Sequence, residues 1–209
     1  MHFIHAFTEW LQQQSWLELI AVVTGLLCVY LAAINNIWNW PFAIISTGIS
    51  IYVFGQNQLY ADMGQNIYLF IINIYGWYYW SRHQADELKS PVKMITREQV
   101  LALVLIVALA TPVLGYTLVS LSPVLHYKPA AFPYLDTFCT ACSLVAQVFM
   151  ARKIVENWLI WIFVDVIYVW VYIAKHLEPF AFMFGVYALL AIKGYVDWRR
   201  DYLRQSASL

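Results

Sequence analysis

Apolar residues run along the chain in long blocks broken by short polar stretches. Seven blocks are long enough for helices that cross a bilayer, at about 17–35, 40–56, 63–80, 99–120, 135–151, 158–174 and 179–197. A span needs about 20 residues, with a range of 17–25. Trp and Tyr gather at block ends, as in Trp38/Trp40 and Trp77/Trp80, where interfacial belts form. Pro41 opens the second block, where a missing N–H costs little. Pro112 lies inside the fourth and predicts a kink. Residues 2–15, with His2 and His5, are too short and mixed for a span and predict an interfacial or poorly ordered lead-in. Ser81–Gln99 is the longest polar stretch, and its mixed charges predict a solvated connector.

Composition agrees with an all-α polytopic membrane protein. Of 209 residues, 62% are hydrophobic and 11% charged, against about 25% charged in a soluble domain. Formal net charge is zero, so no basic field attracts nucleic acid. No cleavable leader is expected, because the N-terminus lacks a basic segment and its first apolar run comes late. Cys139 and Cys142 form a CxxC, but inside an apolar helix, where small packing residues fit better than a zinc or redox pair. No metal and no cofactor is implied. The loops near 57–62, 121–134 and 175–178 hold Lys128 and Lys175. The opposite side holds nine basic residues, Arg82, Lys89, Lys93, Arg97, Arg152, Lys153, Arg199, Arg200 and Arg204. The positive-inside rule then predicts an outside N-terminus and a cytoplasmic C-terminus.

An offset of 118 residues places Asn39-Trp40 on Asn157-Trp158, Gly76-Trp77 on Gly194-Tyr195, and Trp80 on Trp198. Blocks one to three therefore repeat as blocks five to seven, and block four is a linker. The extra crossing restores the direction of the second copy, so the copies run parallel in a 3+1+3 arrangement. The implied units are a lead-in (1–16), a first three-helix repeat (17–82), a connector with the linker helix (83–134), a second repeat (135–200) and a tail (201–209). Transporters built from such repeats hold substrate at the repeat interface near the midplane.

Candidate chemistry sits in two blocks. In the sixth, Trp158, Trp161, Asp165, Tyr168 and Tyr172 recur at steps of three and four, one helix face. A carboxylate midway along an apolar span marks a functional site by default, although a packed stripe with Asp165 bonded to a neighbour is the plain alternative. In the third, Gln65, Asn66 and Asn73 bring amides into hydrocarbon, as ligand contacts or as inter-helix glue. The offset maps Trp161, Asp165 and Tyr168 onto Ala43, Thr47 and Ser50, and Asn66 and Asn73 onto Phe184 and Ala191. The copies have diverged in their polar groups, which suits a cavity for one asymmetric small molecule. Amides suit a carboxamide and sugar hydroxyls, and aromatic faces suit a flat ring, the more so if it is cationic. Asp165 would balance such a charge or hold a ribose hydroxyl. Lys193 either snorkels to the surface or lines the path. No Gly-rich phosphate loop, HExxH or GxSxG is present, so phosphate substrates and hydrolase chemistry lack their parts.

With Trp38-Asn39-Trp40-Pro41-Phe42, Gln65-Asn66…Asn73…Gly76-Trp77…Trp80 and Asn157-Trp158-x-x-Trp161-x-x-x-Asp165-x-x-Tyr168, the chain resembles the PnuC-type nicotinamide riboside transporters over about 17–203. The resemblance implies the SWEET-like 3+1+3 fold, a homotrimer in the inner (cytoplasmic) membrane, and no enzymatic activity. It implies facilitated diffusion of nicotinamide riboside, with a cytoplasmic nucleoside kinase trapping the cargo. Carried onto this chain, it points to Trp158, Trp161, Asp165, Tyr168, Gln65 and Asn73, then Asn39 and Asn157, as substrate-binding residues. Thiamine, another vitamin or a sugar on the same scaffold, or a non-transporting scaffold protein, are the competing readings.

Overall fold

The computed structural model describes residues 15–84, 92–121 and 132–207, together with 7, 8, 10 and 12. Seven helices of 18 residues or more span the described residues: α1 (Trp16–Ala33), α2 (Asn39–Gln56), α3 (Tyr60–Gln84), α4 (Arg97–Leu121), α5 (Pro133–Ala151), α6 (Asn157–Ala174) and α7 (Glu178–Ala207). Five of them, α1, α4, α5, α6 and α7, are long and apolar enough to cross a membrane. Helices α2 and α3 match them in length but carry Ser46, Thr47 and Ser50, and Asp62, Gln65, Asn66 and Asn73. Eighteen residues at about 1.5 Å each reach about 27 Å, close to the hydrocarbon thickness of a bilayer.

Local sequence ends these helices without glycine. Asn35, Gln58, Lys153 and His176 adopt φ of 56°, 59°, 57° and 55° at the ends of α1, α2, α5 and α6. At each, the left-handed residue donates its N–H to the carbonyl three back and the next residue donates to the carbonyl five back. Examples are Asn35 N to Ala32 O at 2.9 Å and Asn36 N to Leu31 O at 2.9 Å. This is the Schellman closure, which satisfies the orphan carbonyls of a helix end. A left-handed L-residue costs about 1–2 kcal/mol, so the short turns impose it. The four positions form two pairs 118 residues apart, Asn35 with Lys153 and Gln58 with His176. At the other end of α1, Ser15 and Glu18 form a capping box.

The packed pairs are α1–α2, α2–α3, α3–α5, α5–α6, α6–α7 and α7–α1, so six helices close a ring. Helix α4 packs on α5, outside the ring. It runs through Pro112 to Leu121 without interruption. Helix α5 is the most enclosed, because α3, α4 and α6 all cover it.

The core is densest at the end of the ring that carries the α1–α2 and α5–α6 turns. Trp40 packs edge-on against Trp80 (5.3 Å, 86°), and Trp158 packs edge-on against Trp198 (5.5 Å, 89°). Trp80 and Trp198 meet at 5.9 Å. Glycine is required beneath two of these rings: a Cβ on Gly76 would lie 2.3 Å from Trp40, and one on Gly194 would lie 2.5 Å from Trp158. Each inner indole donates to the other half of the chain, Trp80 Nε1 to Ala151 O at 3.1 Å and Trp198 Nε1 to Ala32 O at 2.9 Å.

Two stretches differ from the sequence expectation. Within Ser81–Gln99 the backbone of Val92–Ile95 is docked on the fold, although Lys93, Met94 and Thr96 are exposed as a solvated connector predicts. Val92 is buried, Lys93 N donates to Lys153 O at 2.8 Å, and Val155 N donates to Lys93 O at 2.9 Å. Ile95 N donates to Glu156 Oε2 at 2.8 Å, and Val92 N to Gln205 Oε1 at 3.1 Å. Backbone N–H groups found partners on the α5–α6 turn and the end of α7, which composition does not reveal. Helix α7 runs to Ala207, ten residues past its apolar block, and carries the expected tail charges Arg199, Arg200 and Arg204 as helix. Of the lead-in, Phe7 lies 6.0 Å from Phe182 and Trp10 5.9 Å from Phe180 at the start of α7. His2, His5, Lys89, His126 and Lys128 lie outside the described residues.

Candidate functional site

The six-helix ring brings the sequence-selected residues onto two of its seams. On α6, steps of three and four turn Trp158, Trp161, Asp165, Tyr168 and Tyr172 toward α7. Tyr168 lies 4.9 Å from Phe184, and Tyr172 lies 5.3 Å from Phe184 and 5.4 Å from Phe180. At the far end of the face Trp158 belongs to the tryptophan core and is 1% exposed. Between them sit Trp161, whose buried Nε1 has no hydrogen-bond partner, and Asp165, 4% exposed. No hydrogen bond or ion pair holds Asp165 among the described residues.

Across the ring, Asn73 of α3 is 2% exposed. Its Oδ1 accepts from Gln147 Nε2 of α5 at 2.7 Å. Tyr68 O–H donates to Leu144 O at 3.2 Å along the same seam. Gln65 is half-buried two turns earlier on α3. Asn66 donates to Asp62 O of its own helix at 2.9 Å. Asn39 and Asn157 are fully buried, and each donates Nδ2 to the carbonyl three residues back at 2.6 Å. These two asparagines tie down the starts of α2 and α6.

Sequence reasoning did not single out Gln147, Tyr187 or Ser46. Gln147 is an amide in an apolar span and carried the same signal as Asn73. Tyr187 is one of 15 tyrosines, and only packing places its hydroxyl beside Gly25, 3.5 Å from where a Cβ there would stand. Ser46 donates to Ala21 O at 2.9 Å, joining α2 to α1. Lys193 is exposed and paired with Asp197 one turn along α7, which matches the snorkelling alternative. Cys139 and Cys142 are free thiols buried against Val164. The described residues contain no group of three or more His, Cys, Asp or Glu placed to hold a metal. An open groove of about 660 Å³ lies outside the ring, between α4, α5 and α6, lined by Leu103, Val107, Phe138, Leu159 and Phe163 among others. It is almost purely apolar and holds none of the candidate polar groups.

The ring of transmembrane-length helices thus carries buried amides on its α3–α5 seam and an aromatic face with a buried carboxyl on its α6–α7 seam. The sequence profile of the nicotinamide mononucleotide transporter family matches residues 15–200. The chain belongs to this family, as a PnuC-type membrane transporter. It is 30% identical to the nicotinamide riboside transporter PnuC of Neisseria mucosa, over 92% of this chain and 75% of that protein. It is 28% identical to PnuC of Escherichia coli, over 88% and 85%. The riboflavin/roseoflavin transporter RibM of Streptomyces davaonensis is 26% identical over 94% and 92%. Among solved structures, the vitamin B3 transporter PnuC superposes with a TM-score of 0.70 at 26% identity, covering 97% of this chain and 88% of that one.

Proposed function

We propose that this protein takes up nicotinamide riboside by facilitated diffusion. The observation that carries the reading is the buried aromatic face of α6, on which the Trp158 and Trp161 Nε1 donors and the Asp165 carboxyl have no hydrogen-bond partner among the described residues. The names of the PnuC relatives point to the riboside as the flat, carboxamide-bearing cargo that fills them. Trp161 and Tyr168 supply ring faces, Asn73, Gln147 and Gln65 supply amides for the carboxamide or ribose, and Asp165 meets the ring or a hydroxyl. Trp158, Asn39 and Asn157 brace this face from the tryptophan core. Riboflavin is the second reading, favoured by the likeness to RibM over nearly the whole of both chains.

The matched turns, glycines and indole bonds 118 residues apart support two parallel three-helix repeats, 17–82 and 135–200, joined by 83–134 with α4 as linker, in a SWEET-like arrangement. Most of α4 is exposed, with Leu101, Leu109 and Val113 open. With the apolar groove beside it, that surface supports the homotrimer. Arg82, Lys93, Arg97, Arg152, Arg199, Arg200 and Arg204 gather at the tryptophan-core end, which faces the cytoplasm of an inner-membrane protein by the positive-inside rule. Cargo released there is trapped by a nucleoside kinase.

Calorimetry on the detergent-purified protein tests the reading. Nicotinamide riboside binds, nicotinamide mononucleotide does not, and Asn73→Ala or Trp161→Ala abolishes binding. Riboflavin binding without riboside binding overturns it.

A further inference from the structure

Asp165 is the ninth of the eighteen residues of α6, which puts it about 12 Å from either helix end at 1.5 Å per residue. Nine polar or charged side chains are buried among the described residues. Eight have partners. Thr24, Thr137 and Ser143 bond carbonyls of their own helices. Asn39 and Asn157 bond turn carbonyls through Nδ2, with only their neutral Oδ1 atoms left over, Asn73 and Gln147 bond each other, and Lys153 sits 4.2 Å over the Trp80 ring. Asp165 is the ninth and has none. At the equivalent position in the first half of the chain Thr47 is satisfied, donating to Ala43 O at 2.7 Å.

The described lysines from α5 onward do not serve Asp165 either. Lys153 is held at the tryptophan core, Lys175 stands at the C-cap of α6, and Lys193 is paired with Asp197. An ionised carboxylate removed from water without a counter-charge is costly. Ring faces at Trp161, one turn before it, and Tyr168, one turn after it, favour a cation over a neutral ring.

We propose that the cargo itself supplies the missing positive charge, so that the site selects a cationic aromatic ring and rejects a neutral ring of the same shape. This inference rests on the riboside reading above and deepens it. The pyridinium of nicotinamide riboside meets the requirement. Its dihydro form, which keeps the carboxamide and the ribose but carries no ring charge, does not. Nor does riboflavin, whose ring is neutral.

The experiment compares the oxidised and dihydro ribosides by calorimetry on the full-length purified protein, with riboflavin alongside. The oxidised form binds at least tenfold more tightly, a difference of about 1.4 kcal/mol. Asp165→Asn narrows that ratio to within threefold, by weakening the oxidised form alone. Equal binding of both ribosides to the unsubstituted protein overturns charge selection and leaves the riboside site standing. A ratio unchanged in Asp165→Asn removes Asp165 as its source. Riboflavin binding with neither riboside bound overturns the cargo reading and this inference together. The comparison on the unsubstituted protein needs no variant, so it decides charge selection even if Asp165→Asn fails to fold.

Discussion

At the scale of single residues, buried groups that have partners and buried groups that lack them predict different things. Trp161→Phe keeps an aromatic face and removes an Nε1 that has no partner. Its thermal midpoint is expected to stay within a degree or two of the parent, while riboside affinity falls about tenfold, one donor bond of about 1.4 kcal/mol. A purely structural Trp161 would give the reverse, a lower midpoint with affinity kept. Asn73→Ala leaves the Gln147 amide buried without its bond, so stability is expected to fall by about 1–3 kcal/mol. That loss accompanies the loss of binding. The sequence marked Asn73 as either glue or ligand contact, and the 2.7 Å bond to Gln147 shows that it is at least glue. No sequence pattern could name Gln147 as the partner, because the two lie 74 positions apart.

At the scale of elements, the helix ends carry the argument. The 118-residue offset placed Gly76 on Gly194 and Trp40 on Trp158 before any contact was known. The contact explains why those types recur: each glycine lies under an indole, closer than any side chain allows. Gly194→Ala is expected to push Trp158 off its seat and destabilise the fold by about 1–3 kcal/mol, as overpacked cores do. Gly185→Ala, with nothing within 4 Å of the added carbon, serves as the unaffected control in the same thermal unfolding series. The docking of Val92–Ile95 was illegible, since its polar neighbours masked a single β-bridge, Lys93 with Ile154, whose partners lie far along the chain. Helix α7 was underestimated for a related reason. Hydropathy stops at the membrane surface, whereas a helix of Asp, Arg, Tyr, Leu and Gln continues past it.

At the scale of the whole molecule, the ring and the outer helix make a transport prediction. A uniporter moves its cargo to electrochemical equilibrium and no further. In proteoliposomes without a potential, labelled riboside is expected to reach equal concentrations inside and out, and a pH gradient leaves that endpoint unchanged. An inside-negative potential of about 60 mV raises the cation about tenfold inside, since a unit charge gains about 2.3 kcal/mol per 100 mV. Accumulation driven by the pH gradient alone would overturn uniport and make proton coupling through Asp165 the mechanism.

The sequence by itself determined the class, the seven helices, the internal offset and the face of α6 that carries Asp165. These follow from burial and periodicity, which act through neighbours along the chain. It also carried the family, through motifs at the two asparagine–tryptophan helix starts. Tertiary structure alone decided which polar groups are satisfied. Asn39 and Asn157 turned inward to their own turns, Asn73 found Gln147, Trp158 sank into a four-indole core, and Asp165 was left without a partner. A hydrogen bond or a counter-charge depends on which distant helix stands opposite, and that is fixed only when the ring closes.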